Sequence, residues 1–188
     1  RFLYSHSVTD YPGELDGAGF PSGSFDGGAL YGSYQLESEN WGAEAAYARL
    51  HDTYRADAGF VPQVGFSGPK AQLSRIFRGD QSWFNQIAIE ASGQRFQDED
   101  GDVIDQQAGL TATYQGPWQT TVEAEVNSRK NSFGDRLFDL QNGSLYAEAR
   151  PSGAVYGFVY AGAGDEIDAD NVRKADLVEL NPGLELKI

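Results

Sequence analysis

Glu123 and Glu125 sit two residues apart in the segment TTVEAEVN, a spacing that puts both carboxylates on one face of a strand. Paired carboxylates of this kind are what glycoside hydrolysis uses, one as acid and the other as base or nucleophile. A second reading needs no catalysis. Glu44, Glu90 and Glu148, with Arg49, Arg95, Arg129 and Arg150, fall in neighbouring segments on what reads as the same polar side. There, acids and guanidinium groups would form a lattice of ion pairs lining a lumen. The lattice accounts for all nine residues and catalysis for only two, so no catalytic residue is assigned.

Asp98, Asp100 and Asp102 flank Gly101 and offer oxygens to calcium. An EF-hand loop places its glycine sixth and a glutamate twelfth. Here the glycine is fourth and no glutamate follows in register, so a turn capped by aspartates is the simpler reading. His6 and His51 are the only histidines and lie far apart in the sequence. Cysteine is absent, which excludes disulfides and thiolate metal sites. There is no G-x-S-x-G elbow, no phosphate-binding loop and no dinucleotide fingerprint. No cofactor is expected.

The elements that would position these residues are strands. Residues 107–127, QAGLTATYQGPWQTTVEAEVN, alternate apolar and polar on both sides of Gly116-Pro117. Ala108, Leu110, Ala112 and Tyr114 share one face, and Trp118, Thr120, Val122, Ala124 and Val126 continue it. Two strands of about ten residues exceed the ordinary length of five or six, whereas a tilted membrane strand takes about 9–11.

The same alternation recurs at 29–38, 41–51, 70–78, 86–96, 144–150, 154–164 and 178–188, which with the hairpin makes about nine strands over residues 29–188. Residues 1–28 show no sustained period and read as a loop or extended entry segment. In the strand at 154–164, Tyr156, Phe158 and Tyr160 oppose Val155, Val159 and Ala161, and the pattern leaves open which face is apolar.

Connections read as alternately short and long, with long ones at 52–69, around Asp98, at 129–143 and at 165–176. Tight turns on one side and long loops on the other characterise outer-membrane barrels. Trp41, Trp83 and Trp118 fall at or just after short turns, where an aromatic girdle would sit, with Tyr114 beside the last. Ile87, Ile89, Leu110 and Val122 then face lipid. The fold class is therefore all-β: an antiparallel up-and-down meander of long hairpins, forming a small transmembrane barrel or part of one.

Composition agrees. The chain has 188 residues, 23 glycines and 24 aromatics, with no run long and apolar enough for a membrane helix. A mean hydropathy of −0.49 does not oppose a barrel, because lumen-facing residues dilute the average. The net charge of −14 argues against nucleic acid, which is bound through clustered Lys and Arg.

Three stretches resemble a known family. They are residues 54–66, YRADAGFVPQVGF; the Asp-rich turn around Asp100-Gly101; and residues 164–188, GDEIDADNVRKADLVELNPGLELKI. Together they cover about a third of the chain. They are similar to the domain of unknown function 5916 family, a C-terminal outer-membrane barrel that follows a carbohydrate-binding family 9-like domain. Gln63 and Ala169 depart from its pattern, which has arginine and an aromatic there.

The resemblance implies a bacterial outer-membrane location, a barrel of which this chain is a partial segment, and no catalytic residues. The expected role is a pore or uptake component whose partners are outer-membrane lipid and a glycan or small solute. The alternatives are a soluble all-β carbohydrate-binding module, with Tyr156, Phe158 and Tyr160 as a stacking platform, and an outer-membrane barrel hydrolase.

Overall fold

The structure is a computed structural model that describes residues 1–11, 23–55, 64–133 and 136–187. Ten strands follow one another in chain order: β1 (Phe2–Tyr11), β2 (Gly23–Glu37), β3 (Trp41–Leu50), β4 (Phe66–Arg78), β5 (Gln86–Gln97), β6 (Val103–Gly116), β7 (Thr120–Phe133), β8 (Arg136–Ser152), β9 (Val155–Asp168) and β10 (Arg173–Leu186). They form one antiparallel meander in which each strand pairs only with its sequence neighbours. β1 and β10 are its two edges. Among the described residues the only helical element is a 3₁₀ turn, Pro117–Gln119.

Three expectations change. Residues 1–28 are not a loop throughout: Phe2–Tyr11 is β1, paired residue for residue with β2, which begins at Gly23. Phe2, Tyr4 and Val8 do alternate with Ser5, Ser7 and Thr9, but His6 interrupts the apolar set and the glycines of β2 hide its partner. The connection expected at 129–143 is mostly strand, since β7 runs to Phe133 and β8 starts at Arg136. The acidic connection expected at 165–176 shrinks likewise to 169–172. Polar residues at these ends continue the ladder, so the strands project beyond their apolar portions.

The ladders fix which side chains share a face, because directly paired residues point the same way. From β2 to β10 one register row reads Leu36, Ala43, Leu73, Ala91, Leu110, Val126, Gly143, Ala163 and Val178. Every member is apolar or glycine. The next row toward the short turns, from Trp41 through Ile89 and Leu145 to Leu180, has Arg75 as its one polar residue. That guanidinium lies 4.6 Å from the Trp41 ring centroid and 5.1 Å from that of Phe77, with its head toward the Asn40 carbonyl.

This apolar face is bare. Val178 is 81% exposed, Leu184 71% and Leu36 48%, while among the described residues the only buried hydrophobic ones are Ala46, Phe138 and Leu140. By register those three lie on the opposite, polar side. Nothing in the described chain packs against the apolar face to make a second layer.

The apolar window also slides along the strands. On β1 it covers Phe2 to Val8, on β6 Ala108 to Tyr114 and on β10 Val178 to Leu186. Its centre moves by about eleven residues over nine strand spacings, ~37 Å against ~43 Å at about 3.4 Å per residue and 4.8 Å per strand. Counted from β2 the displacement is about seven residues over eight spacings. The apolar band therefore slopes by roughly 30–40° from the perpendicular to the strands.

The short turns lie at one end. Trp41 opens β3, Trp83 lies in the β4–β5 turn and Trp118 in the β6–β7 turn. Trp118 and Gln119 have φ of 62° and 54°, a left-handed pair closed by the Thr120 hydroxyl donating to the Pro117 carbonyl at 2.7 Å. In the β4–β5 turn Asp80 Oδ1 accepts from the Ser82 hydroxyl (2.6 Å) and amide (3.0 Å). These bonds hold the Asp80 carboxyl below the usual aspartate range.

Candidate functional site

The chemistry lies on the polar face. Directly behind the apolar row runs a second register row: Glu37, Gly42, Ser74, Glu90, Thr111, Glu125, Ser144, Gly162 and Glu179. Strands of period two put these residues one position away from their apolar neighbours and on the other side. Carboxylates separated by glycine and small hydroxyl residues thus cross the whole sheet from β2 to β10. Glu90 and Glu125 are two strands apart, about 10 Å at the usual interstrand spacing.

The sequence-derived lumen set falls largely on this face. Glu44, Glu90, Glu123, Glu125, Glu148 and Arg129 all share it by register, and Arg150 reaches it by laying its guanidinium 5.1 Å from the Tyr156 ring centroid. Arg49 and Arg95 do not belong there. Arg49 pairs with Leu30 and Ser67, and Arg95 with Gln106, which puts both on the apolar side near the long-connection end.

The ion-pair lattice is thinner than expected. Glu44 Oε1 meets Lys70 Nζ at 3.2 Å and Asp105 Oδ1 meets Arg129 Nε at 3.5 Å. Among the described residues no cation lies within ion-pair distance of Glu90, Glu123 or Glu125. Glu123 accepts weakly from the Thr113 hydroxyl at 3.4 Å, and Glu125 accepts from the Asn127 amide. Glu123 and Glu125 share a face by register, with a hydroxyl and a side-chain amide as their hydrogen-bond partners.

Glu148 has a different environment. One carboxylate oxygen accepts from both the Tyr146 and Tyr156 hydroxyls at 2.8 Å. Phe158 lies between these tyrosines, with its ring centroid 6.4 Å from that of Tyr146 and 6.1 Å from that of Tyr156. The face left open for Tyr156, Phe158 and Tyr160 is now settled: Phe158 and Tyr160 pair with Glu148 and Tyr146 on the polar side, while Val159 and Ala161 pair with Ala147 and Leu145 on the apolar one. The Phe158 ring covers Gly183 of β10, where any β-carbon would collide with it.

Over β7 to β10 the polar face encloses a cavity of about 490 Å³ lined by residues including Glu125, Asn127, Arg129, Asn142, Tyr160 and Glu179. It is open, polar and charged, unlike the apolar pocket that holds a drug-sized ligand. Sequence reading missed Asn127, Asn142, Tyr160 and Glu179 as one surface. Parity within each strand was legible, but the register that brings the four strands together was not.

The aspartates of the β5–β6 connection form a turn. Asp98 Oδ1 accepts from the amides of Asp100 (3.1 Å) and Asp102 (2.8 Å), which commits that oxygen to capping the turn. Glu99 reaches instead to His51, whose Nε2 lies 3.4 Å from Glu99 Oε1 and whose Nδ1 lies 2.9 Å from Asp52 Oδ1. His51, Asp52 and Glu99 thus gather three potential metal ligands. Both ring nitrogens face carboxylates on opposite edges, an arrangement suited to an imidazole bridging two loops. His6 is separate from this group, with Nε2 3.1 Å from Asp26 Oδ1.

The set expected to face lipid is coherent by register. Trp41, Ile87, Ile89, Leu110, Tyr114 and Val122 all lie on the apolar face, and Trp83 and Trp118 stand in turns at its short-turn edge. Tyr114 also donates its hydroxyl to the Trp83 carbonyl, tying two of these turns together.

Comparison with family models, curated proteins and solved structures finds no match.

Proposed function

We propose that this chain is a wall segment of a bacterial outer-membrane β-barrel that passes small hydrophilic solutes. The observation that carries the reading is the bare apolar face whose band slopes by roughly 30–40° from the perpendicular to the strands. Strands of membrane barrels tilt by about 35–45°, so a level hydrocarbon layer should imprint a band sloping at nearly that angle. A soluble sheet has no reason to slope its apolar residues in this way, and it would need a second layer to cover them.

The polar face then lines water. Its unpaired glutamates favour cations and neutral hydroxyl-rich solutes over anions. The Tyr146–Glu148–Tyr156 group, with Phe158 and Tyr160 beside it, supplies hydrogen-bond acceptors and aromatic surface of the kind that sugars use. This is consistent with the resemblance to barrels that follow a carbohydrate-binding domain. The edges β1 and β10 would expose unpaired amides and carbonyls to lipid, so the reading requires further strands to meet them or the two edges to close on each other.

Size-exclusion behaviour tests the proposal. The chain should be monodisperse only with detergent or lipid and aggregate when detergent is removed. A monodisperse, folded sample in plain buffer would remove the membrane reading and favour the alternative of a soluble sugar-binding module.

A further inference from the structure

We propose that residues 51–55 form a constriction on the polar wall, and that Arg55 is its charge-selecting residue. This rests on the reading of that wall as a solute path. The segment leaves β3 and turns back over the polar side of β1 and β2. Its Arg55 amide donates to Ser7 Oγ at 2.9 Å and the Tyr54 hydroxyl donates to Ser5 Oγ at 3.2 Å. The Thr53 hydroxyl donates to the Asp26 carbonyl.

The contact is built at backbone level. Gly27 of β2 is buried, and a β-carbon there would stand 2.7 Å from the Thr53 carbonyl carbon and closer still to the backbone of Tyr54. Any larger residue at 27 would push the segment off the wall. Glycine is what admits it.

Arg55 is held in place without being neutralised. Its guanidinium donates to the Asp52 and Tyr54 carbonyls at 2.9 and 3.0 Å and lies 4.3 Å from the Phe25 ring centroid. Among the described residues no carboxylate is within ion-pair distance of it. A fixed positive charge therefore stands on the wall that carries Glu90, Glu123 and Glu125, none of them ion-paired among the described residues. It limits the cation preference those glutamates create and narrows the path where the segment projects.

Planar-bilayer recording in potassium chloride tests this with the whole chain and two variants. Gly27→Val should raise single-channel conductance by releasing the segment. Arg55→Gln should raise the cation-over-anion permeability ratio about sevenfold, because one unit charge roughly 7 Å away in water biases the cation and the anion about threefold each in opposite directions. Because Gly27→Val could perturb folding, Arg55→Gln, which leaves the backbone contacts in place, provides the independent readout. Wild-type channels with both variants unchanged would overturn the constriction while leaving the pore reading intact. A wild type whose edges close into a barrel in the bilayer and that still carries no current would overturn both.

Discussion

Replacing Leu110 by arginine is expected to destabilise the bilayer-inserted protein by about 2–4 kcal/mol, the cost of a cation on a lipid face near the midplane. Leu110 lies in the middle of the apolar row, between Ala91 of β5 and Val126 of β7. It is 47% exposed with no layer of the described chain over it, so on the proposed membrane reading the new guanidinium would meet hydrocarbon. Thr111→Arg, one residue along the same strand, is the matched control. Thr111 pairs with Glu90 on one side and Glu125 on the other, and a cation there gains two carboxylate neighbours. Its expected effect is under about 1 kcal/mol, the scale of an exposed ion pair. Reversible denaturant unfolding from lipid vesicles would measure both. Equal costs at the two positions would contradict the assignment of faces.

Converting Glu90, Glu125 and Glu179 together to glutamine should abolish most of the cation preference of the conducting protein. A carboxylate about 7 Å from a passing ion in a water-like dielectric contributes about 0.6 kcal/mol, roughly a threefold bias. Because each such group attracts the cation and repels the anion, three on one register row amount to well over an order of magnitude in permeability ratio. Salt screens this, since the Debye length is only about 10 Å at 0.1 M, so reversal potentials should be read at low ionic strength. The complementary variant Lys70→Gln should raise the ratio, because it leaves the carboxylate of Glu44, which Lys70 meets at 3.2 Å, uncompensated. An unchanged ratio in the triple variant would mean that ions do not pass along this wall.

Much of the fold was legible because a strand carries its own evidence. The alternation of Leu110, Ala112 and Tyr114 with Thr111, Thr113 and Gln115 gives both the element and its two faces, and the short turns at Glu39-Asn40 and Gly116-Pro117 give the neighbours. β1 escaped because one polar residue, His6, interrupts an otherwise apolar set, and its partner β2 has Gly27, Gly28 and Gly32 where side chains would have shown a period.

The projecting ends of β7 to β10 escaped for a different reason. Residues such as Lys130, Asp139, Glu166 and Asp168 read as loop by polarity, yet backbone ladders continue through them irrespective of side-chain type. The site was legible residue by residue and not as a surface. Glu90, Glu125 and Glu179 are far apart in the chain, and a shift of one residue in any ladder would turn part of the row onto the other face. The segment packed on Gly27 left no sequence signal, since its bonds run from residues 53–55 to backbone and serines of strands about 30 to 50 positions earlier.

The central claim is that one face of this sheet meets lipid and the other meets water. Because the chain has no cysteine, single cysteines can be introduced and spin-labelled one at a time at positions 108–115 and 121–127 in lipid vesicles. Collision with oxygen, which concentrates in the hydrocarbon, should peak at Leu110, Ala112, Ala124 and Val126. Collision with a water-soluble nickel chelate should peak at Thr111, Thr113, Glu123 and Glu125. A period of two with the two probes out of phase is the predicted result; accessibility to the nickel chelate on both faces would contradict the account.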